Sequence, residues 1–199
     1  MERERRAEEI EKLSRVQAVY AHPLFRECLD KNRAAEETRA FCVHDMNHFL
    51  DVARLAYIFS LERGYKLAKE EIYGAALLHD IGKWRQYTEQ VPHEQAGAEI
   101  AEKILRETGF TEEERGRMLG AILEHRGKMG PKETSPEEMN PKEMNPKGMN
   151  PKEKVPKDKK RCLAEVLYDG DKISRACYAC SVEKECNWSE EKKNLGITW

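Results

Sequence analysis

The chain has 199 residues, 36% of them charged, with 35 Lys and Arg against 37 Asp and Glu for a net charge of −2. That length suits one ordinary domain and excludes two large ones, and near-neutral charge gives no reason to expect nucleic-acid binding. There is no run of about 18 apolar residues and no signal-peptide-like stretch after Met1-Glu2-Arg3-Glu4-Arg5-Arg6, so no membrane span is expected and a cytoplasmic location is.

Residues 2–20 place Ile10, Leu13, Val16 and Val19 or Tyr20 on one helical stripe. A longer helical pattern covers 41–63, through Phe41, Met46, Phe49, Leu50, Val52, Ala53, Ala56, Tyr57 and Phe59, and Gly64 stops it. The next, about 67–81, contains Ile72-Tyr73-Gly74-Ala75-Ala76-Leu77-Leu78, which is apolar all round and so expected to be buried; Gly82 ends it. Another helix begins after Pro92 and runs to about 108. Thr111 with Glu114 forms a capping box for a helix ending near His125. A last long helix spans roughly 160–178. No segment alternates as a strand does, so the expected class is all-α.

The apolar fraction of 39% is low because it is uneven. Residues 131–160 hold six of the eight prolines and only four apolar residues, and from 136 they run as PEEMN, PKEMN, PKGMN, PKEKV, PKDKK. A proline every fifth residue forbids a continuous helix, and there is little to bury. The expectation is a disordered insertion joining 1–130 and 161–199 of one domain, with a docking tail for a partner as the alternative.

Chemistry concentrates around His79-Asp80. A buried apolar helix ends by presenting an imidazole and a carboxylate side by side, and a buried carboxylate needs a partner. A metal cation is one; a structural pair with Arg or His is another. His48 lies in register with Val52 and Leu55, His93 with Ala96, Gly97 and Ile100, His125 with Met118 and Ile122, and Asp171 with Ala164 and Leu167. Histidines on the buried sides of different helices, together with two aspartates, point to a bundle holding a His/Asp metal cluster.

His48-x3-Val52-Ala53-x2-Ala56, then His79-Asp80 in LLHDIGK, then Asp171 in Gly170-Asp171-Lys172-Ile173-Ser174 resembles the HD-domain metal-dependent phosphohydrolase superfamily. The resemblance covers about 41–126 and 161–176. It implies a helical HD-domain bundle in which His48, His79, Asp80 and Asp171 bind a divalent metal. His93-x2-Ala96-Gly97-Ala98 and Ile122-x2-His125 are similar to the extra histidines of dinuclear members, including bacterial diadenosine-tetraphosphate hydrolases. By that resemblance His93 and His125 complete a second site and Asp80 bridges two ions, of iron, manganese or another divalent metal.

The activity so implied is hydrolysis of a phosphoester or phosphoanhydride in a nucleotide or other small phosphorylated substrate, through a metal-activated hydroxide. Asp80 and Lys83 are then the catalytic candidates, Lys83 facing the phosphoryl oxygens. Lys83, His44, Arg126 and Arg175 are the candidate substrate contacts. Two alternatives stay open, since the same ligand set serves di-iron oxygenases and a metal can also be structural in a binding or scaffold module. Asp169 competes with Asp171 but faces away from Leu167; Arg39 could instead be a structural partner of Glu36 or Glu37; His22 has no place in the pattern.

The six cysteines, in a reducing compartment, are thiols or metal ligands rather than disulfides. In Cys177-x2-Cys180-x5-Cys186 the first pair is a common half of a zinc or iron–sulfur site, Cys186 adds a third thiol, and Cys162, Cys42 or Cys28 would supply a fourth ligand. Cys42 stands just before His44 and His48. Reactive redox thiols and plain packing thiols are the other readings.

Overall fold

The computed structural model describes Glu8, residues 11–127 and residues 158–197. Most of the proline repeat and the start of the first expected helix lie outside the described residues. Within them the chain is helical, with no strand: α1 (Ser14–Ala21), α2 (Pro23–Ala35), α3 (Met46–Glu62), α4 (Lys69–Leu78), α5 (Lys83–Thr88), α6 (His93–Glu107), α7 (Glu112–Glu124) and α8 (Lys159–Ile173). Three 3-10 turns follow, at Cys177–Ala179, Glu183–Glu185 and Glu190–Lys192. None of the described helices is long and apolar enough to cross a membrane.

Helix α4 is the hub. Ile72 and Gly74 through Leu78 are buried on every side, and the helix packs against α1, α3, α6, α7 and α8. Phe49, Val52, Ala53 and Ala56 of α3 meet Leu163, Ala164, Val166 and Leu167 of α8 in the same core. An apolar α4 thus has no solvent face to turn, and both helices carrying outer ligands close over it.

Several boundaries differ from the periodicity for identifiable reasons. Helix α3 starts at Met46 because Asp45 caps it, accepting from the Asn47 and His48 N–H groups at 2.9 and 3.0 Å. Helix α8 ends at Ile173, short of 178, and the chain then turns at Ser174. The Thr111–Glu114 capping box forms as expected. Helix α2 has a narrow apolar stripe, Phe25, Cys28 and Leu29, and its fourth buried position is the polar Asn32. His22 caps this helix, Nδ1 accepting from the Leu24 N–H at 3.2 Å, with Pro23 in the first turn.

Gly64 follows α3 at φ +65°, the left-handed conformation that ends helices there. Gly82 serves a different purpose from the helix stop expected of it. Its φ is −92°, and a Cβ on it would lie 2.4 Å from the Gly97 backbone nitrogen. The missing side chain lets α6 cross directly over the His79-Asp80 turn. Gly170 does the same between α8 and α3, where a Cβ would come 2.9 Å from the Val52 carbonyl oxygen.

Alanine at Gly82 should therefore destabilise the fold by about 1–3 kcal/mol through overpacking. Gly116 lies in α7 with nothing within 4 Å of a built Cβ, so Gly116→Ala should stabilise by roughly 0.5–1 kcal/mol. Urea unfolding of the two variants measures both signs.

Candidate metal centre

The HD turn is held before any ligand is considered. Asn32, fully buried on α2, donates from Nδ2 to the Asp80 carbonyl oxygen at 2.9 Å and accepts from the Trp84 N–H at 2.8 Å. One amide thus bridges the turn and the first residues of α5, so the Asp80 carboxylate enters the interior in a fixed direction.

Around that carboxylate the two oxygens face different partners. Oδ2 lies 3.3 Å from His79 Nε2, 3.5 Å from His44 Nε2 and 3.8 Å from His48 Nε2. Oδ1 lies 3.1 Å from His93 Nε2 and 3.6 Å from His125 Nε2. Asp171 brings Oδ1 to 3.6 Å from His48 Nε2 and 3.9 Å from His79 Nε2. The ligand atoms therefore fall into two compact groups, His48, His79, Asp80 and Asp171, and Asp80, His93 and His125, with Asp80 common to both.

The far ring nitrogens say which way the lone pairs point. His79 Nδ1–H donates to the Ala76 carbonyl oxygen at 2.6 Å and His125 Nδ1–H to that of Ile122 at 2.5 Å. His93 Nδ1–H is taken by Gln86 Oε1 at 2.5 Å, and Ser174 Oγ lies 3.4 Å from His48 Nδ1. With the proton on Nδ1, each Nε2 turns a lone pair inward. His93 and His125 bring two such atoms to 3.2 Å of one another, a separation that requires a proton or a cation between them.

Charge states follow burial and the contacts with Asp80. Burial lowers His79 and brings His93 down to about 3, so both stay neutral and able to donate a lone pair. Burial works against the ionised Asp80, and positive charge on the surrounding rings, His79 and His44 first, is what would hold it well below the usual carboxylate range; with those rings neutral, a cation has to supply that charge. Asp171 is held at about 2 against its own burial, by His79 and then Lys172. His125 moves the other way, its contacts with Asp80 outweighing burial.

His48 Nε2, His79 Nε2 and Asp80 Oδ1 are buried with no hydrogen-bond partner. Each such atom costs about 1–3 kcal/mol, and three together take a large share of the roughly 5–15 kcal/mol that stabilises a domain. A divalent cation in each group would satisfy them, so the residues fit metal binding.

The remaining expected residues lie at graded distances from the centre. Lys83 is half-buried, its pKa lowered by burial, and Nζ stands 3.3 Å from His93 Nδ1. His44 is tied by Nδ1 to Glu36 Oε1 at 2.5 Å. Arg126 is more than half exposed and 3.5 Å from Glu94. Arg175 donates from Nε to the Lys172 carbonyl oxygen at 3.0 Å and lies over Trp188. Cys177, Cys180 and Cys186 are free thiols outside both ligand groups. Asp169 pairs with Arg63 at 2.6 Å, away from the centre. Arg39 donates to the Cys42 carbonyl oxygen and the Tyr87 hydroxyl, not to Glu36 or Glu37.

Sequence reasoning missed the supports: Asn32, Glu36, Gln86 and Tyr87. Glu36 accepts from His44 N–H at 2.7 Å and from Tyr87 Oη at 2.7 Å as well as from the His44 ring. These contacts cross between α2, α5 and the loop before α3, where no periodicity can reveal them.

The chain belongs to the HD domain family, which it matches over residues 45–176. It is similar to a protein of Clostridium beijerinckii described as uncharacterized, 37% identical over 169 residues that cover 85% of this chain and 88% of that one. No solved structure matches the chain significantly.

Because Gln86 fixes the His93 tautomer, Gln86→Leu should weaken manganese binding at the Asp80/His93/His125 group by about 10–100-fold. The group containing His48 and Asp171 should keep its affinity. Calorimetric titration of the apoprotein with manganese reads the two steps separately.

Proposed function

We propose that the protein is a metal-dependent phosphohydrolase acting on a nucleotide or other small phosphorylated substrate. The observation that carries this reading is the Asp80 carboxylate, whose two oxygens are divided between two ligand groups. His48, His79, Asp80 and Asp171 would hold one divalent ion, iron, manganese or another, and Asp80, His93 and His125 a second. Such ions supply Lewis acidity and make hydroxide available near neutral pH. In this reading residues 131–160 leave and rejoin one domain, since Asp171 on α8 stands with ligands from α3 and the α4 end.

The chain's own residues supply the rest. Lys83 makes no ion pair with a carboxylate among the described residues, and Gln86 already takes the His93 Nδ1 proton. Its ammonium is therefore free to face phosphoryl oxygens, where charge builds during transfer. Asp80, Arg126, Glu36 and Arg39 all lie close enough for their charges to act on Lys83, and the two arginines are further cations for a multiply charged phosphate. Glu36 accepts the His44 Nδ1 proton, leaving Nε2 directed at the centre, 3.5 Å from Asp80. From there His44 can contact substrate, its Nε2 accepting a hydrogen bond. Arg175, alongside Asp171, borders the same centre as a further substrate contact.

A screen over nucleotides and dinucleoside polyphosphates with manganese or ferrous iron tests the proposal. Wild type should release phosphate or a nucleotide product. Asp80→Ala should lose turnover, and Lys83→Ala should lower kcat/KM by about 10²–10³-fold. Metal-loaded wild type that hydrolyses nothing in the panel, or that consumes oxygen instead, would contradict it.

A further inference from the structure

Four cysteines stand apart from the His/Asp centre: Cys42, on the loop before α3, and Cys177, Cys180 and Cys186 beyond α8. All of them fall outside the 45–176 span of the family match. They also differ from Cys28 and Cys162, which are buried in the manner of packing thiols, whereas Cys42 is exposed and the tail cysteines are half-buried.

The tail carrying them is folded back and fixed. Asn194 Nδ2 donates to the carbonyl oxygens of Lys172, Ile173 and Arg175 at 2.8, 3.1 and 2.8 Å. Lys193 Nζ binds the Glu183 carbonyl oxygen at 3.0 Å and its carboxylate at 2.7 Å. The Arg175 guanidinium lies 4.0 Å over the Trp188 ring. Within this fold-back the Cys180 N–H closes on the Cys177 carbonyl oxygen at 3.1 Å, the Glu183 N–H on that of Cys180 at 3.3 Å, and the Cys186 N–H on that of Glu183 at 3.1 Å. The cysteines therefore wind around two successive tight turns that pack on one another.

Cys42 approaches from the α3 side. Its sulfur is partly desolvated, and Cys177, Arg175 and Cys180 are close enough to act on its charge. Arg39 Nε holds the loop by donating to the Cys42 carbonyl oxygen at 2.8 Å. Arg175 lies among Cys42, Cys177 and Asp171, and its Nη1 is buried with no hydrogen-bond partner. A buried guanidinium N–H without an acceptor, beside several thiols, is the arrangement expected around an anionic sulfur site.

We propose that Cys42, Cys177, Cys180 and Cys186 hold an iron–sulfur cluster. Four thiolates are the usual ligand set for such a cluster and for structural zinc, and spacing decides between them. Tetrahedral zinc with Zn–S near 2.3 Å brings its sulfurs to about 3.8 Å of one another. Among the described residues, the groups of three or more ligand atoms within 4.8 Å of each other are the two at the His/Asp centre, and they include none of these sulfurs. A cluster takes its thiolates on separate irons and so tolerates sulfurs farther apart than zinc does, and no three of these four lie within 4.8 Å of one another. Its anionic charge faces Arg175, which satisfies the free Nη1 and joins the tail to the end of α8 beside Asp171.

The test uses the full chain, purified anaerobically and reconstituted with ferrous iron and sulfide. Wild type should show broad visible absorption that dithionite bleaches, with acid-labile sulfide present. Cys180→Ser and Cys42→Ser should lose that absorption, and should lose iron and sulfide together in equal amounts. Cys28→Ser should keep both. Unchanged helical circular dichroism, with unchanged manganese uptake at the His/Asp centre, separates cluster loss from misfolding. Wild type that takes up no sulfide, or that binds zinc at these cysteines instead, overturns the proposal. So does sulfide retained in Cys180→Ser. None of these readouts depends on which substrate the His/Asp centre acts on.

Discussion

A buried carboxylate that faces lone pairs rather than donors organises this molecule. Asp80 is almost fully buried, and the histidines around it give their Nδ1 protons to Ala76, Ile122 and Gln86. The inward side of the cage is thus rich in electron pairs and poor in protons. Left so, it would cost several kcal/mol of a stability that is itself only of that order. Positive charge must enter, and divalent metal ions meet that demand with the correct donor types.

The rest of the fold makes this arrangement possible at close range. The apolar α4 drives its C-terminal end, and with it His79 and Asp80, into the middle of the bundle. Gly82 and Gly170 let α6 and α8 come near enough to deliver His93 and Asp171. Asn32 locks the turn in between. Lys83 then begins a short helix at the edge of the cage, where it is half-buried.

Much of this was legible in the sequence, and unevenly so. The helices with broad apolar faces could be placed from periodicity, since a bundle core imposes that pattern on each of them. The His79-Asp80 pair, and the in-register placement of His48, His93, His125 and Asp171, pointed to the centre because a ligand must share the buried face of its helix. Helix α2 was not legible, its narrow stripe being completed by the polar Asn32. Glu36, Gln86 and Tyr87 were hidden for a related reason: each acts through hydrogen bonds between different elements, which no periodicity records. Gly82 could be seen as a break in the pattern, while its use as a crossing point depends on Gly97 in another helix.

In the proposed function the Asp80 cage would hold two divalent ions, one in each ligand group. Crystals soaked in manganese, with anomalous diffraction recorded at the metal edge, test it most directly. Two anomalous peaks are expected, one among His48, His79, Asp80 and Asp171 and one among Asp80, His93 and His125. An ordered cage with no peak in either group would contradict it.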